Sequence, residues 1–249
     1  MIKLRIVSLF FGVTFAAAQP VMAMDDDDPL LTKVMTDFEY LPNKEDGVVE
    51  WDVDAWVGRD LYKFWVKTSG EYADSEVEEA NIEFVYSRAV YTTWDQQFGV
   101  RHDIKPDGPD LAHHTDGQAK ARNWISYGYI GTAPYFVEVD ARVFVGEESS
   151  SQLLIELERE IMLTQEWVLT PEMEIVANGR TNLDYGEGSG LAEIEFGLRL
   201  GYEHNGNRKF QPFVGLTGSQ TFGNTRRIEK SEGNKSGSVE LMFGVHSWF

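Results

Sequence analysis

From Thr32 to the last residue, apolar and polar side chains alternate almost residue by residue, in stretches of about ten. A period of two belongs to strands, and strands half apolar along their whole length need something apolar to face. The stretches are Thr32–Leu41, Val49–Val57, Leu61–Gly70, Glu76–Ala89, Trp94–Asp103, Ala121–Thr132, Tyr135–Gly146, Ser151–Leu163, Glu166–Asn178, Gly190–Glu203, Lys209–Phe222 and Ser238–Phe249. A tilted strand of about ten residues crosses a bilayer, whereas a helix needs about 20 apolar residues, and no such run follows the N-terminal segment. Open sheet edges are not tolerated in lipid, so strands of this kind must close on themselves.

The connections support closure. Gly58–Asp60, Val90–Thr93, Thr132–Pro134, Thr164–Gln165 and His204–Arg208 are short, while Ile104–Lys120, Gly179–Ser189 and Gly223–Gly237 are long and polar. Outer-membrane barrels have short periplasmic turns and longer outer loops. The last stretch places Val239, Leu241, Phe243, Val245 and Phe249 on one face, and Glu240, Met242, Gly244 and His246 on the other. Tyr91, Trp94, Tyr127, Tyr129, Tyr135, Trp167 and Trp248 lie near strand ends, where aromatic rings suit membrane interfaces. The expected fold is all-β: an antiparallel up-and-down transmembrane β-barrel of about 12 strands, or ten if the Thr32 stretch is a plug or tail.

Residues 1–23 read as a signal peptide. Lys3 and Arg5 precede the apolar Ile6–Ala18 run, and Val21-Met22-Ala23 supplies small residues for cleavage. Residues 24–31 read as an acidic periplasmic tail and 32–249 as the barrel, exported to the outer membrane of a Gram-negative cell. Cysteine is absent, so no disulfide framework holds the chain. The net charge of –19 argues against nucleic acid, whose phosphates would be repelled, and favours cations as partners alongside the lipid of the outer membrane.

Lipid-facing positions fix the lumen. Val137, Val139, Ala141, Val143 and Val145 turn Glu138, Asp140 and Arg142 inward, and Leu153, Ile155 and Leu157 do the same for Glu156 and Glu158. By the same rule Asp52, Asp54, Glu172, Glu174, Glu193 and Glu195 face the lumen, with Lys63, Lys67, Arg101, Arg142 and Arg199 as the fewer inward bases. Arg159 breaks the outward pattern of its strand. An interior with this acid excess attracts cations, as carboxylate rings do in cation pores.

Several segments carry a family resemblance. Phe64-Trp65-Val66-Lys67-Thr68-Ser69-Gly70-Glu71, Tyr86-Ser87-Arg88-Ala89, Gly99-Val100-Arg101-His102-Asp103, Ala133-Pro134-Tyr135-Phe136-Val137-Glu138-Val139-Asp140, Leu163-Thr164-Gln165, Gly188-Ser189-Gly190-Leu191, Gly197-Leu198-Arg199-Leu200-Gly201-Tyr202-Glu203 and Trp248-Phe249 resemble, in order, parts of the copper resistance protein B family. The resemblance implies an outer-membrane copper resistance barrel that binds copper ions or lets them cross. It also implies periplasmic copper-binding partners, including a multicopper oxidase. Many members carry an N-terminal extension rich in Met, His and Asp; here that region is short, with Met24, Asp25 to Asp28 and Met35 but no His.

Candidate copper ligands follow from residue chemistry. His113-His114, flanked by Asp110 and Asp116 in the longest loop, offers two imidazoles for Cu(II), and His102 with Asp103 marks a strand end. His246, Met242 and Met162 face inward and would form a soft patch if their strands meet. Copper is then bound or transported, not catalytic. Two other readings are a nonselective or structural porin-like barrel and an outer-membrane hydrolase. The second is disfavoured because His246 and Ser247 point to opposite faces.

Overall fold

The computed structural model describes residues 28–44, 47–73, 76–105 and 120–249. Residues 1–27, which hold the expected signal peptide and half of the expected acidic tail, and also His113, His114, Asp110 and Asp116, lie outside the described residues.

Alternation becomes strand along the whole described chain. The strands are β1 (Leu31–Leu41), β2 (Val48–Gly58), β3 (Tyr62–Ala73), β4 (Glu76–Tyr91), β5 (Trp94–Lys105), β6 (Lys120–Ala133) and β7 (Val137–Gly146). They continue with β8 (Ser151–Glu158), β9 (Ile161–Met162), β10 (Trp167–Asn178), β11 (Gly190–Tyr202), β12 (Phe210–Thr221) and β13 (Gly237–Trp248). Neighbours pair antiparallel in chain order, and β13 pairs back onto β1. Val34 and Phe249 exchange both backbone hydrogen bonds at this seam, each 2.9 Å.

β8 and β9 both pair with β10 and are two pieces of one stave, so the closed barrel has twelve. The break falls at Arg159-Glu160, where the Arg159 N–H donates to the carbonyl of Pro171 on β10. Proline has no N–H to return, so the ladder loses its second bond there.

One strand face meets lipid. Phe64, Phe84, Val100, Ile125, Val145, Phe196 and Leu216 are exposed on the barrel exterior. The other face fills the interior. Trp65, Val85, Trp124 and Phe144 are buried on the β3–β7 side, and Leu41, Phe213 and Met242 cluster opposite.

Two features differ from the sequence reading. All seven aromatics expected to serve two interfaces lie toward the end bearing the short turns, joined there by Phe98 tilted against Tyr127 and by Tyr202 against Trp167. The expected Gly223–Gly237 loop contains a helix, α1 (Gly223–Glu232), ended by Gly233 at φ 87°. Its strand-like neighbours obscure the helical period, and Gly233 supplies the left-handed stop.

Candidate functional site

The lumen is built from side chains whose register the backbone sets. On β7, β8, β10 and β11, Asp140 pairs with Glu156, Glu156 with Glu174, and Glu174 with Glu195, giving a row of four carboxylates. One step toward the short-turn end, Glu138 pairs with Glu158 and Glu158 with Glu172. Like charges directly opposite one another repel, so rows of this kind need cations or neutralising bases.

Two arginines answer part of that need. Arg142 on β7 lies 2.5 Å from Glu83, 2.9 Å from Asp140 and 3.7 Å from Glu156. Lys67 on β3 reaches across to Asp140 at 3.1 Å and touches Asp54 at 3.4 Å. Arg199 on β11 forms the second hub, 2.6 Å from Glu172, 2.9 Å from Glu158, 3.2 Å from Asp37 and 3.6 Å from Glu39. Gly197 stands opposite Glu172, and its missing side chain leaves the room that carboxylate occupies. His246 lies against Asp37 at 2.9 Å.

The remaining acids have no base. Among the described residues, Asp52, Glu138, Glu174, Glu193 and Glu195 make no ion pair, and Glu195 accepts a hydrogen bond from Thr217. Asp52 is within electrostatic reach of Glu156 across the lumen, and Glu50 of Glu195. Asp52 and Glu195 thus each have a facing carboxylate, Glu156 and Glu50, that a base already holds, Arg142 and Lys44 respectively.

Aromatic packing fills the opposite side. The Arg101 guanidinium lies 4.1 Å from the Phe144 ring centre, and Arg122 lies 4.6 Å from that of Trp124. Asp103 accepts from Trp124 Nε1 at 2.7 Å and from Arg122 Nε at 3.1 Å. At the rim, Lys44 bridges Glu71 at 2.9 Å and Glu50 at 3.2 Å. Burial by itself would depress the Lys44 ammonium, but the two carboxylates outweigh it and hold it above the ordinary lysine range.

The family model described as Copper resistance protein B precursor (CopB) matches residues 30–249, which is the barrel itself. The chain belongs to the copper resistance protein B family. Copper resistance protein B of Escherichia coli is 33% identical over 199 residues, covering 80% of this chain and 62% of that protein. The Copper resistance protein B homolog of Pseudomonas syringae pv. tomato is 28% identical over 211 residues, covering 85% of this chain and 67% of that one. The chain thus spans about three-fifths of the E. coli relative it matches. Among solved structures, the NanC porin covers 88% of this chain and 100% of its own at 8% identity, with a TM-score of 0.50, a likeness of fold alone. The barrel, its apolar exterior and its family place this chain in the outer membrane.

Within this family member the expected copper ligands are dispersed. His102 faces outward and bonds Asn123 at 2.8 Å, while Asp103 faces the lumen, so strand alternation separates the two. Met242 is fully buried beside Leu41 and Phe213, Met162 meets Arg208 at 3.0 Å, and His246 meets Asp37. These three do not form one patch. Among the described residues no three His, Asp or Glu converge on a metal-sized centre. The sequence reading passed over Asp37, Glu39 and Glu83. Phe38 and Tyr40 facing lipid would have turned Asp37 and Glu39 inward, and Ile82 with Phe84 would have done so for Glu83.

Proposed function

We propose that this barrel lets copper ions cross the outer membrane along the acid-lined side of its lumen, and that this traffic underlies its part in copper resistance. The observation that carries the reading is the in-register row Asp140, Glu156, Glu174 and Glu195, whose last two members have no basic partner among the described residues. Asp52 completes the opposite wall. In water two unit charges about 4 Å apart gain only about 1 kcal/mol, and a divalent ion gains about twice that per carboxylate. Several such contacts in sequence hold a cation well enough to admit it and loosely enough to release it. His246 with Asp37 forms the last station toward the periplasm. There copper meets periplasmic copper-binding proteins, a multicopper oxidase among them. The chain's role is binding and passage, without catalysis.

The test is copper flux into proteoliposomes carrying the purified barrel. Glu174→Gln with Glu195→Gln is expected to lower flux about tenfold, the effect of losing about 1.4 kcal/mol of cation attraction. Both side chains lie outside the two arginine hubs, so the fold survives the change. Unchanged flux in the double variant refutes the acidic route. Equal passage of copper and of sulfate supports the nonselective porin-like reading instead, and copper binding without flux makes the protein a sequestering one.

A further inference from the structure

The exterior of β11, β12 and β13 is not smooth. Near the end bearing the long connections it carries a groove of about 900 Å³ walled by Phe196, Leu216 and Val239. Phe196 and Val239 each stand opposite Gly218 in register. With no side chain at Gly218, the sheet surface is notched between two large apolar neighbours. A Cβ there would meet only ordinary to close neighbours, the Ser238 carbonyl at 3.2 Å and Val239 at 3.4 Å. The notch is therefore fillable rather than forced by packing.

Above the groove, the segment from α1 into β13 contributes Lys230 and Lys235 together with Asn234. Neither lysine has an acidic partner among the described residues, although the chain carries 41 acids against 22 bases. Two unneutralised ammonium groups directly over an apolar, lipid-facing furrow match one chemistry: acyl chains below and phosphate at the bilayer interface. We propose that this groove binds a phosphorylated, multiply acylated glycolipid of the outer leaflet, with one acyl chain lying over Gly218 and its phosphate held by Lys230 and Lys235. Copper passage is independent of this site, which lies on the other side of the barrel wall from the lumen.

Native mass spectrometry of the detergent-purified barrel, titrated with diphosphoryl lipid A, tests the assignment. The wild-type barrel is expected to retain lipid A and to bind its dephosphorylated form at least tenfold more weakly. Lys230→Gln with Lys235→Gln should weaken lipid A binding about tenfold. Both positions lie outside the strands, so barrel assembly is unaffected. Gly218→Leu, which fills the notch, should weaken lipid A and its dephosphorylated form alike. Equal lipid A affinity in the wild type and the lysine variant, or equal binding of phosphatidylglycerol and lipid A, overturns the proposal.

Discussion

Replacing Arg199 with glutamine removes the cation that holds four carboxylates from three parts of the wall. Its guanidinium lies between 2.6 and 3.6 Å from Glu172, Glu158, Asp37 and Glu39. Breaking a buried ion pair from one side costs about 3–5 kcal/mol, because the other charge stays behind. Here Arg199 is 12% exposed, but Glu158 is 41% and Glu172 28% exposed, so water screens part of the loss. The expected cost is therefore about 2 kcal/mol. With a urea slope of about 3 kcal/mol per molar, the unfolding midpoint falls by about 0.7 M. Tryptophan fluorescence of the barrel in detergent micelles reads this directly. The reasoning also requires rescue: adding Glu158→Gln and Glu172→Gln to the arginine variant should recover most of the loss, since the stranded charges are then gone. An unchanged midpoint in Arg199→Gln, or no recovery in the triple variant, would show that the hub does not hold the walls together.

Other outcomes follow from single contacts. Gly99 faces the lumen where a Cβ would come within 2.5 Å of Ser126 and 2.8 Å of Glu83, so Gly99→Val should cost about 1–3 kcal/mol in the same urea assay. Lys44→Gln should cost less than about 1 kcal/mol near neutral pH, since the lysine is 39% exposed. Because Lys44 titrates above its unfolded value, its contribution is fully present below about pH 10 and is lost as pH rises further, so wild type and variant converge there. A constant difference up to pH 12 would refute that pairing.

Much of this molecule was legible in its residues. Strand number, closure and the inward direction of Asp52, Asp140, Glu156 and Glu174 follow from a period of two, which a single chain displays by itself. Register between strands does not. Whether Glu156 meets Glu174 or slides past it depends on turn lengths and on the interruption before β9, and that interruption traces to a missing N–H on Pro171 of another strand. Hence each acid could be pointed inward, while the four-carboxylate row could not be read. His102 and Asp103 show the reverse error: adjacency in sequence suggests partnership, but in a strand it guarantees opposite faces. Helix α1 escaped because it is short and polar, with its packing supplied by Gly188 and Ser189 on a distant connection.

The seam between β1 and β13 has a kinetic meaning. Thr36 and Ser247 meet at 2.7 Å although they stand 211 residues apart. Hairpins can form one by one from β1 onward, yet the outer edge of β1 has no mate until the final strand arrives. Until then the growing sheet carries two open ladders, each able to recruit a foreign strand. The twelve residues of β13 therefore act as a latch, since pairing them with β1 closes both ladders at once.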